Sequence, residues 1–292
     1  MAGLHLGPGG DHDNVETYLR QLDAARVPFS IKDVNEWGPE LELAAKLRAA
    51  SGVDHTIIWR HTDTDVPPYH LAPSAAAVQH WSLVKSKMPP GLMPYKEQVW
   101  LEVVNEPDMN QCAWMANFSI AVSKLAVSDG WRLFNFGWST GNPHVGAGGG
   151  PDCYEDPATL DFLRYASEQG GKVGVALHEY SNSMNITNEW PYLLGRLHFL
   201  FDACDKHDIP RPLAAITEWG WLGCNVKLPA QAGVADIDQV MRGMGAGSYH
   251  AFAPQLKAAM MWYLGPWSCP ISTQADQLVL PIMNYTLSTY KP

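Results

Sequence analysis

The sequence is poor in charge. Only 17% of its 292 residues are Asp, Glu, Lys or Arg, against 46% hydrophobic residues, which excludes a solvated, disordered chain and leaves ample apolar surface for a large core. It is poorer still in positive charge: 20 Lys and Arg face 30 Asp and Glu, a formal net charge of −10, the wrong sign for neutralising phosphates or settling on anionic lipid. No nucleic-acid partner is expected. Long apolar runs are missing too. The uncharged stretch 258–275 is broken by Gly265, Pro266 and Pro270, so membrane insertion is not expected either. The first ten residues, MAGLHLGPGG, lack the basic start and apolar run of a signal peptide; the expectation is an intracellular protein or one with a trimmed N-terminus, with localisation otherwise open. Cysteine is scarce and odd in number, at five. Cys112, Cys153, Cys224 and Cys269 fall in expected loops on one face, where two disulfides in three pairings compete on equal terms with reduced thiols, and Cys204 falls in a helix. No phosphate cradle is found: GPGG at 7–10 lacks the G-x-G-x-x-G spacing, and GAGGG at 146–150 follows a long loop and not a strand.

What is abundant is aromatic and periodic. The chain has 12 Trp, 11 Tyr and 8 Phe. Large flat rings in such numbers serve the core and also suit stacking on sugar faces. Short apolar, β-branched or aromatic runs fall at 3–6, 27–34, 55–61, 98–106, 132–139, 173–180, 213–221 and 258–264, about one every 36 residues. Between them, apolar residues at helical spacing mark 15–26, 40–50, 75–86, 114–127, 159–169, 190–206 and 234–247, with a last helix expected within 276–290. Eight strands alternating with helices predict the α/β class and a single (β/α)8 TIM barrel domain over 1–292; a doubly wound open sheet is the lesser alternative.

In such a barrel, reactive groups come from the C-terminal strand ends and the loops that follow. Strand four ends in Asn105-Glu106-Pro107 and strand seven in Thr217-Glu218-Trp219-Gly220. Two carboxyls converging over the axis suit acetal cleavage, in which one delivers a proton to the leaving oxygen and the other attacks the anomeric carbon or activates water. Glu102, an even number of residues before Glu106, points to the same side deeper in the strand, where an interior salt bridge is expected of it. Glu179 alternates away from His178 and Tyr180 and is expected outside the lumen. Trp37, Trp138, Trp221, Trp262, Tyr263 and Trp267 lie at or beyond strand ends and are candidates for a sugar-stacking rim.

These residues carry a resemblance. Asn105-Glu106-Pro107 at strand four, His178-Glu179-Tyr180 at strand six, Thr217-Glu218-Trp219-Gly220 at strand seven and Trp262 on strand eight resemble, in order, the retaining glycoside hydrolases of clan A, family 5 type enzymes among them. The resemblance implies that Glu106 is the acid/base and Glu218 the nucleophile. It further implies that Asn105 binds the sugar 2-hydroxyl, that Tyr180 holds the nucleophile with His178 in the same region, and that Trp262 floors the cleavage point. Family 5 enzymes usually place an arginine at the end of strand two, where this chain has Lys32, Asp33 and Asn35; Arg60 and His61, ending strand three, are expected to fill that place.

The reading is therefore a glycosidase acting by retaining double displacement on a β-linked oligosaccharide or polysaccharide, with no metal and no cofactor; sugar identity, endo or exo action and oligomeric state stay open. Two rivals follow from other features. His61, Asp63, Asp65 and His70 could serve a metal-dependent amidohydrolase-type barrel, although strand one offers only His5 where a His-x-His would be expected. A carbohydrate-binding barrel without catalysis, part of a larger assembly, is the second.

Overall fold

The computed structural model describes residues 2–7, 12–145, 152–181, 189–221, 230–243, 249–264 and 275–290. Among them, eight parallel strands close into a barrel in sequence order: β1 (Ala2–Leu6), β2 (Ser30–Val34), β3 (Thr56–Arg60), β4 (Val99–Glu102), β5 (Arg132–Trp138), β6 (Val173–Ser181), β7 (Leu213–Trp221) and β8 (Leu256–Leu264). Helices α1 (Val15–Ala24), α2 (Pro39–Ser51), α3 (Pro73–Lys87), α4 (Cys112–Ser128), α5 (Pro157–Glu168), α6 (Leu197–Lys206), α7 (Ala230–Asp238) and α8 (Val279–Thr289) alternate with them. The expected (β/α)8 architecture is what forms. Helix starts follow local chemistry: α2, α3 and α5 each open on a proline, which needs no N–H partner in the first turn, and the Asp156 carboxylate caps α5 by accepting from Ala158 N–H at 2.9 Å.

Three boundaries differ from the periodicity. β4 stops at Glu102, so Asn105 and Glu106 stand on the loop beyond it. α6 begins at Leu197 and not near 190, because Pro191 and a left-handed Gly195 (φ 80°) interrupt the apolar pattern. Over 234–243 the expected helix is instead α7 followed by a π-helical turn, Gln239–Gly243, and its remainder, 244–247, lies outside the described residues. No helix among the described residues is long and apolar enough to cross a membrane.

The lumen is filled in layers. Ile58, Trp100, Phe134, Ala176, Ala215, Ala258 and Met260 pack together as an apolar plug, with Trp100 and Phe134 stacked at 4.2 Å and small residues opposite them. Gly174 makes room for the plug, since a Cβ there would lie 2.7 Å from the Phe134 ring. Two residues further along three of these strands stand Arg60, Glu102 and His178, so the alternation that builds the plug also sets a charged layer on top of it. The other strand faces, Leu4, Ile31, Ile57, Leu101, Leu133, Leu177 and Ile216 among them, join the helices in the main core.

Of the bulges at the C-terminal strand ends, two bear on the glutamates. Between β6 and β7 the register runs Leu177 to Ile216 and then His178 to Glu218, leaving Thr217 as an extra residue. Simple alternation from Ala215 would turn Thr217 inward; the inserted residue turns Glu218 inward in its place. On β5 the register with β6 shifts between Phe136 and Trp138, and Phe136 (φ 77°) and Gly137 (φ 58°) take positive φ. The bulge leaves the Gly137 carbonyl to accept from Glu106 N–H at 2.9 Å.

Cys112, the first residue of α4 and not a loop residue, is bonded to Cys153 across 5.6 Å between Cα atoms, closing a sequence separation of 41. This bond ties the loop carrying Glu106 to the excursion after β5. Cys204 is a buried free thiol in α6, as expected, whereas Cys224 and Cys269 lie outside the described residues. Replacing Cys112 and Cys153 by serine is expected to cost about 2–4 kcal/mol, read as a lower midpoint in denaturant unfolding under non-reducing conditions. Equal midpoints for the two proteins would show that the bond contributes nothing.

Candidate active site

At the C-terminal end of the barrel, adjacent strands bring charged side chains to one point. β1 supplies His5, β2 Lys32, β3 Arg60, β4 Glu102, β6 His178 and Tyr180, and β7 Glu218, all buried. Neighbouring register explains the convergence, since His5 pairs with Lys32 and His178 with Glu218 across adjacent strands. Glu106 overhangs this layer from the loop after β4, its side chain 42% exposed at φ 44°, while Glu218 below it is 6% exposed.

Glu218 is the most contacted group. Tyr180 Oη donates to its Oε2 at 2.6 Å. Its Oε1 meets Lys32 Nζ at 3.1 Å, Arg60 Nη2 at 3.4 Å and His5 Nε2 at 3.7 Å. Burial alone would push its carboxyl up; the fields of His178, Lys32 and Arg60 outweigh burial and hold it well below the usual carboxylate range. Tyr180 is driven the other way by burial and by the Glu218 charge, so it stays a phenol that can donate. His178 links the carboxylates: its Nδ1 lies 3.1 Å from Glu106 Oε1 and 3.6 Å from Glu218 Oε2, and its Nε2 lies 3.5 Å from Glu102 Oε1. Burial opposes its charge, but Glu218, Glu102 and Glu106 raise its pKa. Gly137 fits against this ring because a Cβ there would stand 3.1 Å from Glu102 Oε1 and 3.6 Å from His178 Nε2.

Glu102 forms the interior ion pair expected of it, 3.0 Å from Lys32 Nζ, and Lys32 with His178 and Arg60 overrides burial to hold its carboxyl at about 2. Glu179 points out of the lumen, as alternation requires, and is buried where it accepts from Gly195 N–H at 2.5 Å, Leu197 N–H at 3.2 Å and the Tyr249 hydroxyl. Burial, only partly offset by these donors, pushes it up to about 7. Asn105 donates its N–H to Asp65 O at 3.0 Å, and its buried Oδ1 has no partner among the described residues. Trp262 is half-buried and meets Tyr180 edge-on at 5.6 Å.

Several sequence candidates stand elsewhere. Trp138 is only 3% exposed and stacks on Phe136 at 5.3 Å. Trp221 is likewise 3% exposed, donates from Nε1 to Asp236 at 2.9 Å and meets Trp219 edge-on. Both are core rings and offer no open face, which corrects their assignment to a stacking rim. Trp37 is half-buried, stacked on Tyr95 at 5.8 Å in the segment leading to β4. Trp267 and the side chain of Tyr263 lie outside the described residues. Arg60 reaches Glu218 as expected and pairs with Asp65 at 2.5 Å, but the His61 ring is occupied in accepting from Asp63 N–H at 3.1 Å and does not join it.

Lys32 is the residue the sequence did not single out, and the bulge at Thr217 is the device it did not reveal. A lysine on a strand otherwise signals an outer or edge position; here the signal lay in its parity with Ser30, which faces the lumen at Gly3. The proposed metal set also separates: Asp63 pairs with Lys87, Asp65 with Arg60, and His70 is exposed. Glu102, His178 and Glu218 do hold three ligand-type atoms within 4.8 Å of one another. The Lys32 ammonium lies against two of the three, so the charge a cation would bring is already supplied by the chain.

Comparison with known proteins adds the fold. No protein-family model matches the sequence, and no curated protein is similar to it in sequence. Among solved structures, a triple mutant of an endo-β-1,4-glucanase from Xanthomonas axonopodis pv. citri is 11% identical, with a TM-score of 0.54 over 99% of both chains. A tri-modular family 5 (subfamily 4) endo-β-1,4-glucanase from Bacillus licheniformis is 14% identical, with a TM-score of 0.51 over 98% of this chain and 59% of that one. The catalytic domain of a mannanase from Streptomyces sp. SirexAA-E is 13% identical over 100% of this chain and 88% of that one, at a TM-score of 0.49. At these identities the likeness is one of fold.

Proposed function

We propose that the chain is a retaining β-glycosidase of the clan A type, one catalytic domain that hydrolyses a β-linked oligosaccharide or polysaccharide. One observation carries the reading: a single ring nitrogen, His178 Nδ1, lies 3.1 Å from a carboxylate oxygen of Glu106 and 3.6 Å from one of Glu218. The sum of those two contacts is the most that can separate the oxygens. Carboxyl groups whose facing oxygens share one ring nitrogen fit the ~5–5.5 Å spacing of retaining enzymes, whereas the spacing of about 6.5–9.5 Å in inverting ones leaves room for a water between them.

The contrast in environment assigns the roles. Glu218, buried and held ionised, attacks the anomeric carbon while the exposed Glu106 gives its proton to the departing glycosidic oxygen; a glycosyl ester of Glu218 and an alcohol result. Glu106, now a carboxylate, takes a proton from water, which attacks the ester carbon, and Glu218 leaves as the carboxylate its cationic neighbours favour. The side chain of Asn105, next to Glu106, binds the sugar 2-hydroxyl in this reading, and Trp262 offers a ring beneath the same sugar. Arg60 and Tyr180 orient Glu218. The substrate is proposed as a β-1,4-glucan because the two fold neighbours above a TM-score of 0.5 are endo-β-1,4-glucanases.

The test is a reducing-end assay on β-1,4-glucan, mannan, xylan and xyloglucan, with product configuration followed by proton NMR. Release of β-anomers by the wild type, and loss of that release in both Glu106→Gln and Glu218→Gln, is the expected result. Wild-type rates in both variants would overturn the site assignment, initial α-anomers would overturn retention, and tight binding without turnover would make the chain a binding barrel.

A further inference from the structure

Around Glu218 buried groups of both signs converge. Facing it are His5 from β1, Lys32 from β2, Arg60 from β3, Glu102 from β4, and His178 and Tyr180 from β6, with Asp65 paired to Arg60 and Glu106 above at the mouth. Burial and the neighbouring cations keep His5 neutral, and Tyr180 stays a phenol. Two cations, Lys32 and Arg60, therefore face the carboxylates Glu102, Glu218 and Asp65, with His178 between Glu102 and Glu218. Lys32 stands out among the cations. Its side chain has no exposure at all, and its ammonium lies 3.0 Å from Glu102 Oε2 and 3.1 Å from Glu218 Oε1, whereas Arg60 is 3.4 Å from Glu218 and bonds Asp65 at 2.5 Å.

We infer that Lys32 is the positioning residue for the nucleophile: its buried ammonium, anchored from below by Glu102, fixes Glu218 and supplies the charge that keeps it ionised for attack. The inference rests on the proposed reaction for its catalytic meaning, but not for its electrostatics. A structural ion pair would need only Glu102. The second, equally short contact to Glu218 is what a purely structural lysine has no reason to make. Without Lys32 both Glu102 and Glu218 lose the cation nearest to them, and a proton taken up by Glu218 is the direct relief. A protonated Glu218 is a far weaker nucleophile than the carboxylate, and in the second step the departing carboxylate lacks the ammonium that would stabilise it.

The experiment compares wild type with Lys32→Met and Lys32→Arg in three readouts: the acid limb of log kcat/KM against pH, the 13C-carboxyl titration of Glu218, and the 15N-imidazole titration of His178. In Lys32→Met the acid limb and the Glu218 titration are expected to rise by about one pH unit or more, with kcat/KM at the optimum down about 100-fold. Lys32→Arg should restore the limb. The His178 titration separates this from loosened packing. Lys32 lowers the His178 pKa, so losing that charge moves the titration up, whereas local unfolding moves an already raised value down toward ordinary imidazole. An unmoved Glu218 titration, or a downward His178 titration, overturns the inference. Where Lys32→Met does not fold, Lys32→Met/Glu102→Gln removes the pair together, and the Glu218 titration must still rise because the ammonium 3.1 Å from its Oε1 is gone. If the wild type cleaves no glycan, the reaction fails as a reading, while the two titrations still decide what Lys32 does.

Discussion

Glu218→Ala is expected to lower kcat on a β-glycan by at least about 10⁴-fold, equivalent to ~5 kcal/mol of lost transition-state stabilisation at ~1.4 kcal/mol per decade. The size follows from the site. Glu218 is the one carboxylate that receives a phenol hydroxyl at 2.6 Å and three cationic or imidazole contacts on its other oxygen, and no other described carboxylate is placed to take over its attack. Glu102 is engaged by Lys32 and His178, and Glu106 is the group proposed to protonate the leaving oxygen. The alanine variant keeps Glu106 and opens a small space where the carboxylate stood. Azide entering that space should attack from the face Glu218 used, restore part of the turnover and leave a glycosyl azide of inverted configuration. The measurement is product anomeric configuration by NMR with and without azide. A retained-configuration azide, or residual activity within tenfold of wild type, would remove Glu218 from the role of nucleophile.

The strands were legible because their burial is two-sided. Ile57-Ile58-Trp59 and Val99-Trp100-Leu101 are apolar at every position, one parity feeding the lumen plug and the other the helices, so no alternation was needed to see them. The two glutamates were legible because a proline follows one and a Trp-Gly pair the other, marking strand ends. Less legible was anything set by an inserted residue. Val103 and Val104 continue the apolar run of β4 and are buried, yet the strand ends at Glu102, since burial in a loop and burial in a strand leave the same composition. Thr217 looks like an inward residue until the register with β6 is known. Trp138 and Trp221 were placed by sequence distance from strand ends. The expected runs 132–139 and 213–221 already contain them; what a position near a strand end does not display is that both rings are packed in the core, each 3% exposed. Lys32 was passed over because buried lysines are rare, and a single strand does not display the Glu102 and Glu218 partners that make one tolerable.

Those partners lead to the largest stability effect expected of any single substitution in the site. Glu102→Leu removes the carboxylate between Lys32 and His178 and leaves both cationic groups in the lumen with one fewer counter-charge. Breaking a buried pair from one side costs about 3–5 kcal/mol, because the desolvated partner remains. The pKa of Glu102 gives a figure of the same order: a fall from 4.5 to about 2 on folding corresponds to about 3 kcal/mol of differential interaction. Because the folded-state value is depressed, that contribution is fully present above pH 4.5 and is lost as pH falls toward 2. Wild type should therefore lose stability across this window, and Glu102→Leu, already lacking the contribution, should lose correspondingly less there. Denaturant unfolding at pH 7 and across the acid range measures both. Adding Lys32→Met to Glu102→Leu should recover most of the loss at pH 7, since an apolar pair of similar volume replaces the ionic one, so the two changes are strongly non-additive. Additive costs in that cycle would mean that Glu102 stabilises the barrel by packing and not by charge.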